Sequence, residues 1–455
     1  MKLKITQLGA IPSAFIDLSK RLTVFCGPNN TGKTYLSYIL YALTHQMLKP
    51  EYVLSDDMLS SLMLNGSISF ECPKDVVLSV RKRKLDYIKK NLGVIFGLPD
   101  QKADKYFQDF NIEYITTDEE HIALVREKQI NINLSESGKV RLEVLKLPNS
   151  MMVECKLISD EKVEMDVLRE MVNLNMIYYM FHLFAFFPIS ISSIYPVERV
   201  SVQTFHRQLS QKHPRVIGAA EFGNGTPAGF IFEKPDRYPM AISDGLDMAD
   251  KLFKMQNTLS GYADLADEIE RMLLQGSLAI DKTGEAEFLA NGAKSRPLPV
   301  HITASVVKSL SSIVFYLRYN ANLNDAVIID EPELNLHPDS QVLLARVFAK
   351  MLNRKLRLII STHSDYIIRE LNNLIMLSNV YGSDFDYVCK EFGYEDTMRI
   401  SSDEVNAYLF KRNGRSKTNV TPIEVTKEGF DVSTIDETLH SLNKASQYLY
   451  HSIEA

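Results

Sequence analysis

The spacing of apolar residues changes several times along the chain, and each change predicts the start or end of an element. Short apolar runs over residues 2–7, 14–18 and 22–25 predict strands, and the third, in which only Thr23 is polar, is expected to be buried. Apolar residues then recur at helical spacing over residues 34–47. A buried strand, a loop and a helix are therefore expected to follow one another close to the amino terminus.

The next part of the chain alternates between helical and strand-like patterns. Helical spacing over residues 76–92 precedes alternating runs between residues 121 and 158, which predict an antiparallel meander. Residues 161–187 predict a long helix that becomes increasingly apolar. The most apolar run, residues 176–191, is shorter than the ~18–20 residues that span a bilayer, so we expect a core helix and no membrane partner.

The second half of the chain begins with a glycine-rich stretch at residues 218–229. Residues 244–275 then predict a pair of helices, and residues 278–289 predict a hairpin. Two mainly apolar runs, over residues 326–329 and 356–361, predict buried strands. The elements expected after them are a strand at 374–377, strands at 405–411 and 420–425, and a helix at 435–450.

The loop after the first buried strand carries a phosphate-binding motif. Residues 27–34 match G-x-x-x-x-G-K-T, the P-loop, in the strand–loop–helix context that this motif requires. Glycine at the two fixed positions allows backbone turns that a Cβ would obstruct, and the N–H groups at the helix start form a positive nest for phosphate. The Lys33 ammonium is expected to reach the β- and γ-phosphates, and the Thr34 hydroxyl to bind Mg²⁺. The expected nucleotide-binding residues here are Gly27, Pro28, Asn29, Asn30, Thr31, Gly32, Lys33, Thr34 and Tyr35.

A second apolar strand ends in two adjacent carboxylates, Asp330 and Glu331. At the end of this strand, Asp330 is expected to hold Mg²⁺ opposite Thr34. Glu331 points elsewhere because side chains alternate along a strand, so it is expected to accept a proton from the water that attacks the γ-phosphate. The alternative is an ordinary buried strand with two carboxylates at its exposed end.

The third apolar strand leads into His363. A histidine at the tip of a core strand can donate a hydrogen bond to a γ-phosphate, and the alternative is a capping histidine without a ligand. In the functional interpretation, Lys33, Glu331 and His363 are the catalytic residues. Upstream, Ser305 opens an apolar helix and is either an N-cap or an anion site that faces the ATP of another subunit.

Composition narrows the class of protein. The chain has 455 residues, of which 45% are hydrophobic and 24% charged, as in soluble proteins built from two or three lobes. The formal net charge of -6 provides no global attraction to nucleic acid. A local basic cluster at residues 81–84, with Lys89 and Lys90, is expected to be a solvated helix face, and a nucleic-acid patch is the alternative.

The compartment is expected to be the cytoplasm. The chain opens in a strand-like pattern and not in a signal peptide. The cysteines lack paired metal-binding spacing and are expected to be free thiols: Cys26, Cys72, Cys155 and Cys389.

The motifs together resemble the ABC-type ATPase head that is shared by the SMC, RecF and OLD-like families. The residues that carry this resemblance are 27–34, 305–309, 327–338 and 361–363. Residues 331–338 and 195–199 are also similar to the small OLD-like ATPases of bacterial anti-phage systems such as Septu and PARIS. The resemblance implies that two heads sandwich two ATP molecules, with each P-loop facing Ser305 of the partner subunit.

The expected fold is therefore α/β: a P-loop NTPase, of the ABC-type ATPase head kind, with large α+β insertions. The expected parts are the P-loop part of the head (1–50), inserted helices and a meander (51–190), a second insertion with a helical pair and a hairpin (191–300), the carboxyl-terminal part of the head (301–380), and closing strands with a helix (381–455).

These features predict an ATPase that uses ATP and Mg²⁺ at the interface of a homodimer or higher homo-oligomer. It is expected to regulate a separate effector, a nuclease or toxin, in bacterial anti-phage defence. One alternative is a RecF-like DNA-binding ATPase of repair or maintenance that uses the basic helix around residues 81–90. A second alternative is an OLD-like nuclease with an unrecognised catalytic site, although the residues after His363 predict no acidic cluster at strand ends.

Overall fold

The chain divides into two units, which are described here from a computed structural model. One unit comprises Met1–Lys4, Ala42–Lys90 and Ile112–Ile191, and the other comprises Ile5–Tyr41, Asn91–Asn111 and Ser192–Ala455. The structure describes residues 1–45, 48–136, 140–159, 163–211, 238–255, 259–292, 296–414 and 416–453. The glycine-rich stretch at 218–229 lies outside the described residues.

The strands follow the alternating and continuous apolar runs of the sequence. They are β1 (Lys2–Leu8), β2 (Ile11–Asp17), β3 (Leu22–Cys26), β4 (Ser67–Glu71), β5 (Asn111–Tyr114), β6 (Ile130–Glu136), β7 (Val140–Lys146), β8 (Met152–Ser159), β9 (Ser192–Tyr195), β10 (Gly276–Ile280), β11 (Ala286–Ala290), β12 (Leu298–Pro299), β13 (Ala326–Asp330), β14 (Arg357–Thr362), β15 (Val405–Asn413) and β16 (Lys417–Ile423).

The helices lie between these strands and at the carboxyl terminus. They are α1 (Lys33–His45), α2 (Asp56–Asn65), α3 (Lys74–Lys90), α4 (Leu92–Phe96), α5 (Asp100–Tyr106), α6 (Asp118–Glu127), α7 (Met165–Glu170), α8 (Ile177–Phe186), α9 (Arg199–Gln211), α10 (Met240–Met255), α11 (Ala263–Ile269), α12 (Ser305–Tyr319), α13 (Pro338–Asn353), α14 (Asp365–Leu377), α15 (Gly382–Phe392) and α16 (Ser433–Ile453).

A mostly parallel sheet forms the centre of the larger unit. Its described strands are six, in the order β16-β15-β3-β14-β13-β9, and β16 alone among them runs antiparallel to its neighbour. Every residue of β3, β13 and β14 is buried. Parallel strands covered on both faces form near-continuous apolar runs, which explains why the sequence pattern identifies these three.

The register of the sheet brings several strand ends to one edge. Cys26 at the end of β3 pairs with Thr362 of β14 and with Leu409 of β15, while Asp330 pairs with Ser361. The loops that leave β3, β13 and β14 therefore emerge side by side. In open α/β sheets this carboxyl edge is where ligands bind.

The helices that follow the core strands bury their apolar faces in the same unit. Phe315 and Val314 of α12, Phe348 of α13 and Leu371 of α14 are completely buried in one cluster with residues of the sheet. The predicted hairpin at 278–289 is present as β10 and β11, whose register pairs Leu278 with Phe288.

The smaller unit contains an antiparallel sheet. Its described strands have the order β4-β8-β7-β6, which confirms the predicted meander for β6, β7 and β8. Residues Asp118–Glu127, at the start of that alternating stretch, form α6 instead, because Thr117 and Glu120 make a capping box. The long helix predicted at 161–187 is continuous over its described part, through α7, a π-helical turn at Met171–Met176, and α8.

The strand predicted at residues 374–377 is wrong, because this apolar run is the last turn of α14. Leu371, Leu374 and Ile375 are buried, whereas Met376 is 40% exposed. That spacing of three and four marks one buried face of a helix, and a window of four residues is too short to distinguish it from a strand.

The expected solvated face on α3 is wrong for two of its basic residues. Arg81 and Lys84 are buried, whereas Lys82 and Lys89 are exposed. Both buried residues share the inner stripe of the helix with apolar residues such as Val80. Arg81 lies 4.0 Å from the centre of the Tyr114 ring, and its Nη1 lies 3.5 Å from the carboxylate of Asp118.

None of the helices in the described parts of the chain combines the length and apolar character needed to cross a bilayer.

Candidate nucleotide-binding site

The P-loop adopts backbone angles that require glycine. Gly27 has φ 133° and Gly32 has φ 92°. A Cβ on Gly27 would lie 2.2 Å from the carbonyl oxygen of Phe410 in β15, which is a severe overlap. The loop therefore turns tightly over β15, the strand next to β3.

Lys33 is buried inside the loop. Its Nζ donates hydrogen bonds to the carbonyl oxygens of Gly27, at 2.8 Å, and of Pro28, at 2.9 Å. Burial lowers the pKa of Lys33, and the nearby carboxylates of Asp330 and Glu331 partly oppose that shift. The ammonium is thus held in place at the base of the loop.

The expected metal ligands lie together although they are far apart in sequence. Thr34 Oγ1 donates a hydrogen bond to Asp330 Oδ2 at 2.6 Å, and Ser361 Oγ donates to Asp330 Oδ1. A hydroxyl and a carboxylate are hard oxygen ligands of the kind that Mg²⁺ prefers. The residues present therefore fit Mg²⁺.

Glu331 has an unusual backbone conformation immediately after β13. Its φ is 48°, and its N–H donates to the carbonyl oxygen of Ser361 at 2.9 Å. Burial raises the pKa of the Glu331 carboxyl, and the negative charge of Asp330 raises it further, while His363 acts against the shift. A carboxylate with raised pKa is a better proton acceptor than a solvated one.

His363 lies beside the same carboxylates. Its Nδ1 lies 3.8 Å from Glu331 Oε1 and 3.3 Å from Glu333 Oε1, and its side chain is 41% exposed. Glu333 also accepts hydrogen bonds from Thr362 Oγ1 and from the backbone N–H of His363, both at 2.9 Å. The sequence did not single out Glu333, although it stands in the turn after Glu331. A carboxylate so close to the motif is the signal that could have identified it.

Arg199 is a second residue whose place in the site only the structure shows. Its guanidinium donates to the carbonyl oxygens of Asp330, at 2.8 Å, and of Glu331, at 2.7 Å. It also donates to Pro196 O and to Ser309 Oγ, both at 3.1 Å. Burial lowers the pKa of Arg199 to about 10, which leaves the side chain charged.

Ser305 stands apart from this group. It is the exposed first residue of α12, and the N-cap is Ala304, so the N-cap interpretation of Ser305 is wrong. Among the described residues that line the pocket beside the P-loop, Ser305 does not occur. Within one chain the structure therefore brings together Lys33, Thr34, Asp330, Glu331 and His363, but not Ser305.

The pocket beside the P-loop has a volume of about 450 Å³. P-loop residues and Glu331 line it together with apolar and aromatic side chains. The lining residues are Gly9, Ala10, Asn29, Asn30, Thr31, Gly32, Lys33, Thr34, Tyr35, Leu98, Tyr106, Phe107 and Glu331. Of the nucleotide-binding residues expected in the P-loop, Asn29 to Tyr35 line the pocket, whereas the carbonyl oxygens of Gly27 and Pro28 accept hydrogen bonds from Lys33.

The topology and the P-loop define the class: the chain has a P-loop NTPase fold. Residues 240–368 match the AAA ATPase domain family. That stretch contains Asp330, Glu331 and His363, while the P-loop precedes it. No curated protein matches the chain.

Solved structures of SMC heads also match. The SmcHead bound to the C-winged helix domain of ScpA is 10% identical, with a TM-score of 0.35 over 93% of this chain and 98% of that chain. The SMC head domain from Thermotoga maritima is 10% identical, with a TM-score of 0.29 over 93% and 98%. The Smc head domain with an extended coiled coil, bound to the C-terminal domain of ScpA derived from Pyrococcus furiosus, is 10% identical, with a TM-score of 0.32 over 98% of each chain.

Proposed function

We propose that this chain is an ABC-type ATPase that binds ATP with Mg²⁺ and hydrolyses it. The observation that carries this proposal is the meeting of three loops at one edge of the parallel sheet. The P-loop after β3 brings Lys33 and Thr34, the end of β13 brings Asp330 and Glu331, and β14 brings His363. This set supplies charge, metal ligands and a proton acceptor for phosphoryl transfer to water.

In the proposed mechanism, the P-loop N–H groups and Lys33 hold the phosphates. In the structure the Lys33 ammonium donates hydrogen bonds to two backbone carbonyl oxygens. When nucleotide binds, it would donate to phosphate oxygens instead. Thr34 and Asp330 would hold Mg²⁺, which neutralises phosphate charge when bound. Burial of Lys33 strengthens its electrostatic effect on the charge that develops during transfer.

Glu331 then accepts the proton of the attacking water, and His363 donates a hydrogen bond to the γ-phosphate. The raised pKa of Glu331 favours proton acceptance. Arg199 fixes the backbone of Glu331 through its carbonyl oxygen, and Glu333 orients His363 through Nδ1 and the backbone N–H. Arg199 and Glu333 are positioning residues, because each acts through a neighbour.

We further propose that the protein works as a homodimer or higher homo-oligomer, in the cytoplasm, and controls a separate effector in anti-phage defence. The exposed position of Ser305 at the start of α12 supports a role toward the nucleotide of a partner subunit. The effector and defence roles rest on the sequence resemblance of residues 331–338 and 195–199. A phage plating assay tests these two roles: it compares plating efficiency on cells that express the chain with and without its neighbouring gene.

The Glu331→Gln variant tests the enzymatic role. Gln keeps the shape of the side chain but cannot accept the proton, so we expect ATP binding near wild type and turnover lower by at least ~10²-fold. Steady-state phosphate release and equilibrium ATP binding measure the two quantities. The exposed Glu424→Gln is the matched control and should hydrolyse ATP normally. Unchanged hydrolysis in Glu331→Gln would remove Glu331 from this role.

A further inference from the structure

The strands β15 and β16 form a hairpin beside the P-loop. β15 runs parallel to β3 and pairs Leu409 with Cys26, the last residue of β3. The chain continues along β15 to Asn413 and returns along β16, whose first residue, Lys417, pairs with Asn413. The residues of β15 beyond Leu409 therefore extend past the end of β3, at the edge of the sheet from which the P-loop leaves.

Packing and hydrogen bonds hold the β15–β16 hairpin against the P-loop and the turn between β1 and β2. The Phe410 ring lies 5.5 Å from the Phe25 ring of β3, and the Phe410 carbonyl oxygen is the atom that a Cβ on Gly27 would overlap. On β16, the Thr418 N–H donates a hydrogen bond at 2.8 Å to the carbonyl oxygen of Ala10, which lines the pocket. Both strands of the hairpin are therefore fixed relative to the phosphate-binding loop.

Arg412 connects the β15–β16 hairpin directly to the P-loop. Its Nη2 donates a hydrogen bond at 3.2 Å to the carbonyl oxygen of Asn29, which stands 383 positions earlier and lines the pocket. Among the described residues, the cationic side chains that donate to P-loop carbonyl oxygens are Lys33, which belongs to the motif, and Arg412, which does not. Because Arg412 is exposed, solvent screens its charge, and its main effect is the direction that it gives to this carbonyl.

The carbonyl that Arg412 holds belongs to the peptide between Asn29 and Asn30. A trans peptide is planar, and its C=O and N–H point in opposite directions. Holding the Asn29 oxygen toward Arg412 therefore directs the Asn30 N–H away from Arg412. Asn30 has φ 59°, in the left-handed region. Successive N–H groups on backbone of this kind form the concave nests that bind phosphate.

The same peptide would lose its phosphate-binding group if it rotated by about half a turn. Rotation exchanges the directions of C=O and N–H, so a carbonyl oxygen would replace the Asn30 N–H and would repel a phosphate. Rotation would also take Asn30 out of the left-handed region, which residues with a Cβ generally disfavour. Arg412 opposes the rotation, because the rotated peptide would lose the hydrogen bond from the guanidinium.

We propose that Arg412 is a positioning residue for phosphate binding, which keeps the Asn29–Asn30 peptide oriented with its N–H available to the phosphates. This inference rests on the proposed nucleotide-binding function and adds a residue from the carboxyl-terminal hairpin to it. Arg412 acts through the backbone of the P-loop. Its loss should therefore weaken every ligand that carries a triphosphate, whether or not a base is attached.

The experiment measures equilibrium binding of ATP and of inorganic tripolyphosphate to the full chain with Mg²⁺. Arg412→Met removes the donor and keeps an apolar stem, so both affinities should fall about tenfold, the effect of losing one hydrogen bond. The matched control Lys417→Met removes an exposed cation from the other strand of the same hairpin. It should bind both ligands within about twofold of wild type. Without ligand, both variants should melt at the wild-type temperature, because both side chains are exposed.

Salt separates the positioning of a peptide from attraction by charge. The two ligands are titrated at about 0.15 M and about 1 M salt, where the Debye length falls from about 8 Å to about 3 Å. A loss that comes from peptide orientation should leave the ratio of wild-type to Arg412→Met affinity unchanged at 1 M salt. A loss that comes from charge alone should disappear.

A loss for both ligands in Arg412→Met alone, at both salt concentrations and with an unchanged melting temperature, supports the positioning role. Wild-type affinities in Arg412→Met, equal losses in Lys417→Met, or a loss that disappears at high salt would overturn it. A loss that accompanies a lower ligand-free melting temperature would show a structural role instead. In these cases ATP binding by the wild-type chain leaves the proposed function standing. A wild-type chain that binds neither ligand would overturn the proposed function itself.

Discussion

At the scale of single residues, burial shifts the pKa of side chains that look like ordinary surface charges in the sequence. Lys84 on α3 is completely buried, and burial lowers its pKa to about 7. An unfolded lysine has a pKa of about 10.4. Between these values the unfolded chain binds more protons than the folded one, so the free energy of unfolding rises with pH over this range.

The Lys84→Met variant tests this linkage. The wild-type free energy of unfolding should rise by up to about 1.4 kcal/mol per pH unit above pH 7, and the destabilising effect of Lys84 should be complete below pH 7. Met removes the buried ammonium, so the variant should be more stable than wild type at pH 7. Its free energy of unfolding should also lack the increase with pH that comes from Lys84. Urea denaturation at pH 7, 8 and 9 measures both effects. The exposed Lys82→Met should keep the wild-type slope, and an equal slope in Lys84→Met would contradict the assignment.

At the scale of elements, Arg199 connects the start of α9 to two other elements. Its bonds reach the end of β13 through Asp330 O and α12 through Ser309 Oγ. Arg199 also donates to the carbonyl oxygen of Glu331, whose backbone has a positive φ. A planar guanidinium reaches several carbonyls at once, which the single nitrogen of lysine cannot do.

The Arg199→Lys variant should therefore lose turnover more than binding. We expect kcat to fall at least about tenfold, because small displacements of a catalytic group are costly, with an ATP Kd near wild type. The matched control is Arg357→Lys. Arg357 is also a buried arginine that donates to backbone carbonyls, those of Leu18, Ser19 and Lys20, and burial lowers its pKa to about 10 as well. The Arg357→Lys variant should have a lower melting temperature than wild type and an unchanged kcat. Parallel losses of kcat, binding and stability in Arg199→Lys would indicate a purely structural role.

Burial also reduces the positive charge that the basic helix α3 exposes. Burial of Arg81 and Lys84 removes two charges from the cluster that suggested nucleic-acid binding. Lys82, Lys89 and Lys90 remain exposed. Fewer available cations mean fewer phosphate contacts, so this helix supports the RecF-like alternative less than its sequence indicates.

At the scale of the whole molecule, the proposed ATP site would be completed by a second copy of the chain. Ser305 is exposed and is not a lining residue of the described pocket, as expected of a residue that serves a partner subunit. Assembly should then depend on bound ATP and should be strongest when ATP is not hydrolysed.

Sedimentation velocity tests the dimer. Glu331→Gln with ATP and Mg²⁺ should sediment as a dimer or larger species, and Lys33→Ala should remain monomeric because it lacks the phosphate-binding charge. Adding Ser305→Glu to Glu331→Gln should weaken assembly, since a carboxylate would repel the γ-phosphate. The position is exposed, so this change should not affect folding. A monomer under all conditions would argue against the ATP sandwich.

The α/β P-loop fold and the contiguous motifs follow from the order of residues alone. A P-loop depends only on residues that are close in sequence. Gly27 and Gly32 allow the turn, and short-range patterns predict the adjoining strand and helix. The same holds for the buried strands β3, β13 and β14, because strands covered on both faces are mainly apolar. Asp330, Glu331 and His363 are candidates on the sequence alone because each stands at or just after the end of such a strand.

Which distant groups meet depends on how the strands and helices pack. Strand order places β14 between β3 and β13, and only that order sets the Asp330 carboxylate beside Thr34 and makes Glu333 a partner of His363. The position of Arg199 under Glu331 and the burial of Lys84 likewise result from packing between elements. Periodicity reports which face of an element is apolar, but not what covers that face, because the covering residues come from elsewhere in the chain.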